Sequence, residues 1–416
     1  METKSLALAE TTGDDCADRI GMARLAKLAF DGNDLRPLWA ELINKLLSGV
    51  ANAGEGIDLS LIAQLLGDKQ AGLAIQREVL LAHRLFRSPC ATKTPRLRVL
   101  ALAAATDMGS NTPIEFLLEE SGIELIMLYV IPEAELPMPL PDHDIAIVIA
   151  SDSEDCRDAL AKIDAAASSW PRPLLNPPKL ICNLDRDKLH GLLSGIDGLV
   201  IPATTAATRE RLLQAHSSKA LASIEADLAF PVIVRPRGSH AGNGLAKIDD
   251  AQAMQRYLDA RDECAFFVSR FVDYSSEDGL FRKYRVVFIQ GRPYACHMAI
   301  ADRWDIWYLN AGMTHSAAKR LEEEAFMRTF DIGFGRRHQA ALAALAGRLA
   351  LDYFTIDCAE TRDGALLIFE ADNTAVVHNM DPAAIFPYKG PQMRKVFAAF
   401  AAMLERRVGL ANERAA

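Results

Sequence analysis

The segment Tyr353–Asp372, YFTIDCAETRDGALLIFEAD, constrains the fold of this chain more than any other. Asp363-Gly364 is a favoured two-residue turn between two strand-like runs, so a β-hairpin is expected. With those two residues as the loop, Arg362 opposes Ala365, and counting outward sets Asp357 against Glu370. Opposed residues of an antiparallel pair share a face, with Cβ atoms about 4.5–5.5 Å apart. Asp372 keeps the face of Glu370 while the strand stays regular, whereas Asn373 points to the other face. Three carboxylates gathered in this way repel one another unless a cation lies between them. Hard divalent cations, above all Mg²⁺ bound together with phosphates, suit such a set. The competing reading is a solvated acidic edge balanced by Arg362 or another basic side chain. The register set by the turn favours the metal.

Composition limits what such a hairpin can belong to. A chain of 416 residues, half of them hydrophobic and 24% charged, is an ordinary globular sequence too long for one core, and two to four structural units are expected. A formal net charge of −9 argues against a general affinity for nucleic acid or anionic membranes. An anionic ligand must then meet a local basic cluster. No apolar run is long enough to span a bilayer. The start, Met1-Glu2-Thr3-Lys4 with Asp14 and Asp15 to follow, is unlike a signal peptide. Seven cysteines without a CxxC pair indicate neither a disulfide framework nor a zinc site. A cytoplasmic location is the expectation, and homo-oligomerisation is left open.

A second chemical signal is Phe230–Leu245, FPVIVRPRGSHAGNGL. A short β-branched run delivers one cation, Arg235, into a loop containing Gly238, Gly242 and Gly244. Glycines allow positive φ and close backbone approach, so several amide N–H groups can converge on phosphate oxygens. Ser239 and His240 offer side-chain donors. Another strand-like run follows, and only then does Asp249 or Asp250 cap a helix with Met254, Tyr257 and Leu258 on its apolar side. The order strand–loop–strand excludes the P-loop and Rossmann arrangements, in which a helix N-terminus holds the phosphate. Taken alone, the loop is as compatible with a glycine-rich hairpin that binds nothing.

The first ninety residues read as helical. Leu59, Ile62, Leu65 and Leu66 recur at helical spacing, Gly67-Asp68 makes a turn, and Leu73 to Phe86 continue as a second helix. After a break at Ser88-Pro89 and Thr94-Pro95, the runs Leu97–Leu102, Leu125–Val130 and Ile145–Ala150 read as strands of a parallel βαβ-like sheet. Thr112-Pro113-Ile114-Glu115 carries a helix start, with Thr112 as cap and Glu115 reaching back.

With both signals in one half, the chain from about Pro95 to its end resembles the ATP-grasp superfamily, specifically the RimK-like carboxylate–amine ligases. Asn176–Leu189 is similar to the family segment ending in "DK", which implies that Lys188 contacts ATP, and Ile201–Thr204 looks like its "P-x-T" continuation. Pro231–Gly244 matches the "P-x-V-x-K-P" strand and glycine loop, with Arg235 in place of lysine. Phe267–Val272 fits the adenine hinge, where backbone around Arg270 and Phe271 would read the base. Tyr284-Arg285 aligns with the "DxR" strand, whose arginine faces phosphate, and Asp357, Glu370 and Asp372 fall on the metal positions. Three further departures stand out: Arg270 replaces a hinge glutamate, Lys283 takes the aspartate of "DxR", and Asp372 stands for an asparagine.

The resemblance implies an α/β (α+β) ATP-grasp fold. Its parts are a helical N-terminal region at 1–92, a Rossmann-like pre-ATP-grasp domain at 93–183, and a two-lobed ATP-grasp domain split into 184–268 and 269–416. It implies ATP and Mg²⁺ as cofactors and a small-molecule or peptide substrate. A carboxylate attacks the γ-phosphate and an amine then displaces phosphate from the acyl phosphate. In that scheme Arg285 and Arg303 hold the acyl-phosphate oxygens, although for Arg303 an ion pair with Asp302 or Asp305 is an equal reading. Asn310 and Gly312 are placed near the phosphate, and His297, read as opposite Tyr284 across a Gln290-Gly291 hairpin, is structural. A kinase that stops at phosphoryl transfer and a nucleotide-binding regulator without turnover are the alternatives. Three converging carboxylates speak against the regulator.

Overall fold

The structure, a computed structural model, describes residues 16–239 and 242–415, with side chains described to residue 409. The chain forms two compact units. One takes the described residues up to Cys182, together with Leu351–Phe354 and the chain from Asn373 onward. The other takes Asn183–Ala350 and Thr355–Asp372. The segment from Asn373, grouped from the sequence with residues 269–372, therefore packs with the first unit.

The first unit opens with four helices, α1 (Met22–Phe30), α2 (Arg36–Leu47), α3 (Ala53–Leu65) and α4 (Lys69–Ala82). Leu25, Leu42, Leu46, Leu59 and Ile62 bury one another in a single cluster. Asn52 and Glu55 form a reciprocal capping box that starts α3, and Asp68 caps α4 by accepting from the Ala71 amide. The apolar pattern that runs on to Phe86 does not stay helical. Beyond Ala82 the backbone finds sheet partners, and Phe86 lies on a strand opposite Met127, fully buried.

That sheet comprises β1 (Ala17–Asp18), β2 (Leu85–Arg87), β3 (Arg98–Ala104), β4 (Glu124–Val130), β5 (Ile145–Val148) and β6 (Leu174–Leu175), in the order β1-β2-β4-β3-β5-β6. The expected parallel core is present: β4, β3, β5 and β6 run parallel, and β2 joins antiparallel. Their near-continuous burial matches a sheet covered on both faces. The expected helix start at Thr112 is different. Only Ile114–Leu117 is helical, and no side chain caps it. Thr112 Oγ1 donates to the Asn373 carbonyl at 2.7 Å, and Glu115 pairs with buried Arg19 while accepting from the Ala23 amide at 2.8 Å. A buried guanidinium left unanswered costs more than a lost cap. The final helix, Lys389–Ala415, turns Val396, Phe400 and Leu404 inward, with the Phe400 ring edge-on to Tyr353.

The second unit carries the remaining strands, apart from the first two residues of β14: β7 (Leu199–Val200), β8 (Thr204–Thr208), β9 (Val232–Pro236), β10 (Ala246–Ile248), β11 (Ala265–Arg270), β12 (Phe281–Ile289), β13 (Arg292–Ala301), β14 (Tyr353–Glu360) and β15 (Leu366–Asp372). They form a four-stranded antiparallel sheet, β10-β9-β11-β8, and a five-stranded sheet, β13-β12-β14-β15-β7. Val232, Val234, Phe266 and Val268 pack on Met254 and Leu258 of the helix Ala251–Asp259, which Asp250 caps by accepting from the Ala253 amide at 2.7 Å. The protein is thus a mixed α/β molecule. Among the described residues no helix is long and apolar enough to cross a membrane.

Candidate active site

The hairpin β14–β15 places Asp357 opposite Glu370, as the turn count demands, but by a different route. Near the turn Glu360 opposes Leu366 and Cys358 opposes Ile368, one residue away from the register expected. Thr361 and Ala365 close the loop, so it holds three residues, Arg362 to Gly364, with Gly364 left-handed at φ 81°. A bulge then skips Phe369 and restores the expected pairing. Asp372 opposes Thr355 and keeps the alternation that began at Glu370, while the Asn373 amide donates to the Ala150 carbonyl within the first unit.

The carboxylates are answered by basic side chains. Lys283 and Arg285, alternate residues of β12 and so on one face, both reach Asp357. Arg285 donates from Nε to Oδ1 at 2.7 Å and from Nη2 to Oδ2 at 3.0 Å, and Lys283 Nζ stands 2.8 Å from Oδ2. The Asp357 side chain is only 3% exposed. Burial opposes its charge, yet Arg285 and then Lys283 overcome that and hold the carboxyl well below the usual range. Arg186, at the start of the helix Arg186–Leu193, pairs with Glu370. There too burial pushes the carboxyl up, and Arg186, with Lys283 and Arg235, outweighs burial and the neighbouring Asp357. The bulged Phe369 serves the same cations, accepting from Arg186 Nη1 at 3.4 Å and lying 5.9 Å beneath Lys283 Nζ.

Asp357 and Glu370, two members of the expected metal set, are thus paired with cations in this structure. Among the described residues no three His, Cys, Asp or Glu side chains are grouped to hold a metal ion. The balancing cations are also not Arg362, which is bound to Ser275 and Asp273. Asp357 has three charge-assisted donors on its two oxygens, so the residues present do not fit a metal ion there.

The glycine loop lies between antiparallel strands, with Val234 opposite Ala246, which is the strand–loop–strand order read from the sequence. Gly238, Gly242 and Gly244 all adopt positive φ. Around Gly238 and Gly242 a side chain would meet open space, whereas a Cβ on Gly244 would stand 2.6 Å from Pro236 Cδ. The Tyr257 hydroxyl donates to the Gly244 carbonyl at 2.7 Å and anchors the loop's far end. Arg235 holds the near end through the Ser239 hydroxyl, at 3.2 Å, and the Ser239 carbonyl. Burial, then the positive charge of Arg186, lowers the Arg235 guanidinium to about 10. His240 lies outside the described residues.

Other expected positions fare differently. Lys188 is exposed on the helix whose Arg186 faces Glu370; residues two apart on a helix do not share a face. Arg186 is the residue the sequence reading missed, although helical spacing in Asp-Arg-Asp-Lys allows only one of the two cations to turn inward. Arg270 is exposed at the end of β11, and the Phe271 amide already donates to the Pro231 carbonyl at 3.1 Å. Arg303 is drawn into a surface pair with Asp305, Nε to Oδ1 at 2.6 Å. Asn310 accepts from the Trp307 amide and donates to the Asp305 carbonyl, and Gly312 is a left-handed residue between two short 3₁₀ turns. His297 opposes Arg285 and not Tyr284, because a bulge interrupts β12–β13 between Arg285 and Val286.

Comparison with protein-family models and with curated proteins finds no match. Among solved structures, a RimK-domain ATP-grasp protein from Sphaerobacter thermophilus matches 74% of this chain and 99% of its own, at 18% identity and a TM-score of 0.43. The solved structures matched here are ATP-grasp proteins. D-alanine–D-alanine ligase from Bacillus anthracis, complexed with ATP, matches 76% of this chain and 99% of its own at 11% identity and a TM-score of 0.45. The ATP-grasp ligase PsnB, complexed with a precursor peptide and AMPPNP, matches 74% of this chain and 99% of its own at 12% identity and a TM-score of 0.41.

Proposed function

We propose that the second unit binds ATP and that the protein is an ATP-grasp ligase joining a carboxylate to an amine, on a peptide or small amino compound. The observation that carries this reading is Arg235 at the base of the glycine loop, tied to Ser239 and near enough to Arg186 to feel its charge. Burial and the charge of Arg186 lower the Arg235 guanidinium to about 10. A polyphosphate placed against both would relieve that repulsion and gain charge-assisted hydrogen bonds. Lys188, exposed on the same helix as Arg186, would meet the phosphates from the solvent side. Amides of the loop at Gly238, Gly242 and Gly244 would supply further donors, with no covalent nucleophile required.

The reaction then runs in two displacements. A substrate carboxylate oxygen attacks the γ-phosphorus and ADP leaves, giving an acyl phosphate. An amine nitrogen attacks the acyl carbon, phosphate departs, and the amine gives up its proton. Arg235 and Arg186 would neutralise charge developing on the bridging oxygen, and Arg285, at the Asp357 carboxylate, would meet the acyl phosphate. No step is assigned to a metal on Asp357, since Lys283 and Arg285 already hold that carboxylate. The same observation favours a second reading, a nucleotide-binding regulator without turnover.

Release of ADP from ATP in the presence of panels of acids and amines tests both. Turnover that needs an acid and an amine together, with an amide product by mass, is expected for the ligase. A phosphorylated acid or alcohol as the final product would assign a kinase. Nucleotide binding with no turnover across the panel would leave the regulator.

A further inference from the structure

Resting on that nucleotide reading, we propose that Lys283 is a built-in counter-cation. Its ammonium takes the place beside Asp357 that a divalent ion would need, so that nucleotide phosphate binds without a metal ion on this carboxylate. Lys283 Nζ lies 2.8 Å from Asp357 Oδ2, and Arg285 bonds both oxygens of the same group at 2.7 and 3.0 Å. A divalent ion on Oδ2 would share that oxygen with an ammonium, a like-charge contact in a place where Asp357 is almost fully buried. Lys283 is held in position from another side by the Phe369 ring, which the bulge in β15 turns toward it.

The charge balance is consistent with this arrangement. Arg186, Arg235, Lys283 and Arg285 bring four positive charges to a group in which Asp357, Glu370 and, two residues along the same strand, Asp372 bring three negative ones. The excess is positive before any metal enters, which is what an anionic phosphate chain requires. Lys283 supplies from the chain a positive charge that would otherwise come from solution.

The test is binding of the non-hydrolysable analogue AMPPNP to the full chain by calorimetry, in EDTA and in Mg²⁺. Wild-type affinity is expected to agree within about threefold between the two, and Lys283→Met to weaken binding in EDTA by roughly tenfold or more while Lys283→Arg retains it. Thermal unfolding of Lys283→Met and Lys283→Arg shows whether both variants are folded. Mn²⁺ binding to the nucleotide-free wild type, followed by electron paramagnetic resonance, needs no variant, and no tightly bound Mn²⁺ is expected. Analogue binding by the wild type only with Mg²⁺, unchanged metal-free binding in Lys283→Met, or tight Mn²⁺ binding abolished by Asp357→Asn would each overturn the proposal and leave the nucleotide reading standing. Failure of the analogue to bind under either condition would overturn both.

Discussion

Asp357 and Arg235 show at the scale of single residues how charge is handled in this site. Asp357 is buried and satisfied, while Arg235 is half-buried and feels the charge of another cation, Arg186. Removing the charge of Asp357 leaves Lys283 and Arg285 facing each other across a neutral group. Asp357→Asn is therefore expected to cost about 3–5 kcal/mol, read as a fall in Tm against wild type. The folded carboxyl titrates below its unfolded value, so this contribution is complete above a pH of about 4 and fades only as pH falls through the lower, folded value. A wild-type–variant gap already closed at pH 5 would contradict the ion-pair assignment. For Arg235 the expectation concerns ligand: Arg235→Gln should weaken AMPPNP by about tenfold or more, with Tm little changed. Equal affinity in the variant would remove this guanidinium from the phosphate site.

Elements translate such residues into a site, and two hairpins show how far sequence carries that step. In β14–β15 a two-residue loop predicts the pairing of Asp357 with Glu370. The molecule reaches the same pairing with a three-residue loop and a compensating bulge at Phe369. In β12–β13 the turn is as read, with Gln290 and Gly291 both at positive φ, yet the bulge beyond it moves His297 from Tyr284 to Arg285. Turn residues report loop chemistry locally, whereas bulges answer to what the strand faces and leave little trace in the sequence. The glycine loop gives a graded test. Gly242→Ala meets only the cost of positive φ, on the order of 1 kcal/mol, whereas Gly244→Ala also drives a Cβ against Pro236. Gly244→Ala should lower Tm clearly more than Gly242→Ala, and equal losses would show that contact with Pro236 is relieved at no cost.

On the scale of the whole molecule, the first unit depends on polar groups sealed beneath its helices. Asp58 accepts from the Ile20 and Gly21 amides at 2.5 and 3.1 Å, and burial raises its carboxyl to about 6 against those bonds and the Arg19 charge. The fold therefore holds this proton longer than the unfolded chain does. Stability from this group is greatest below the unfolded value and declines as pH rises to about 6, by on the order of 3 kcal/mol. Asp58→Asn should flatten that part of the Tm–pH profile, and an unaltered slope between roughly pH 4 and 6 would assign it to other groups. Much of the architecture could be read in advance: helical spacing in α3, the parallel core of β3, β4 and β5, the glycine loop between strands, and the opposition of Asp357 and Glu370. These follow from periodicity and turn chemistry, which act over a few residues. What only the tertiary structure decided is which charges meet those carboxylates. Arg285 reaches Asp357 across 72 positions of sequence and Arg186 reaches Glu370 across 184. Sheet order and a bulge bring them together, so two carboxylates of the acidic hairpin meet cations that lie far from them in sequence.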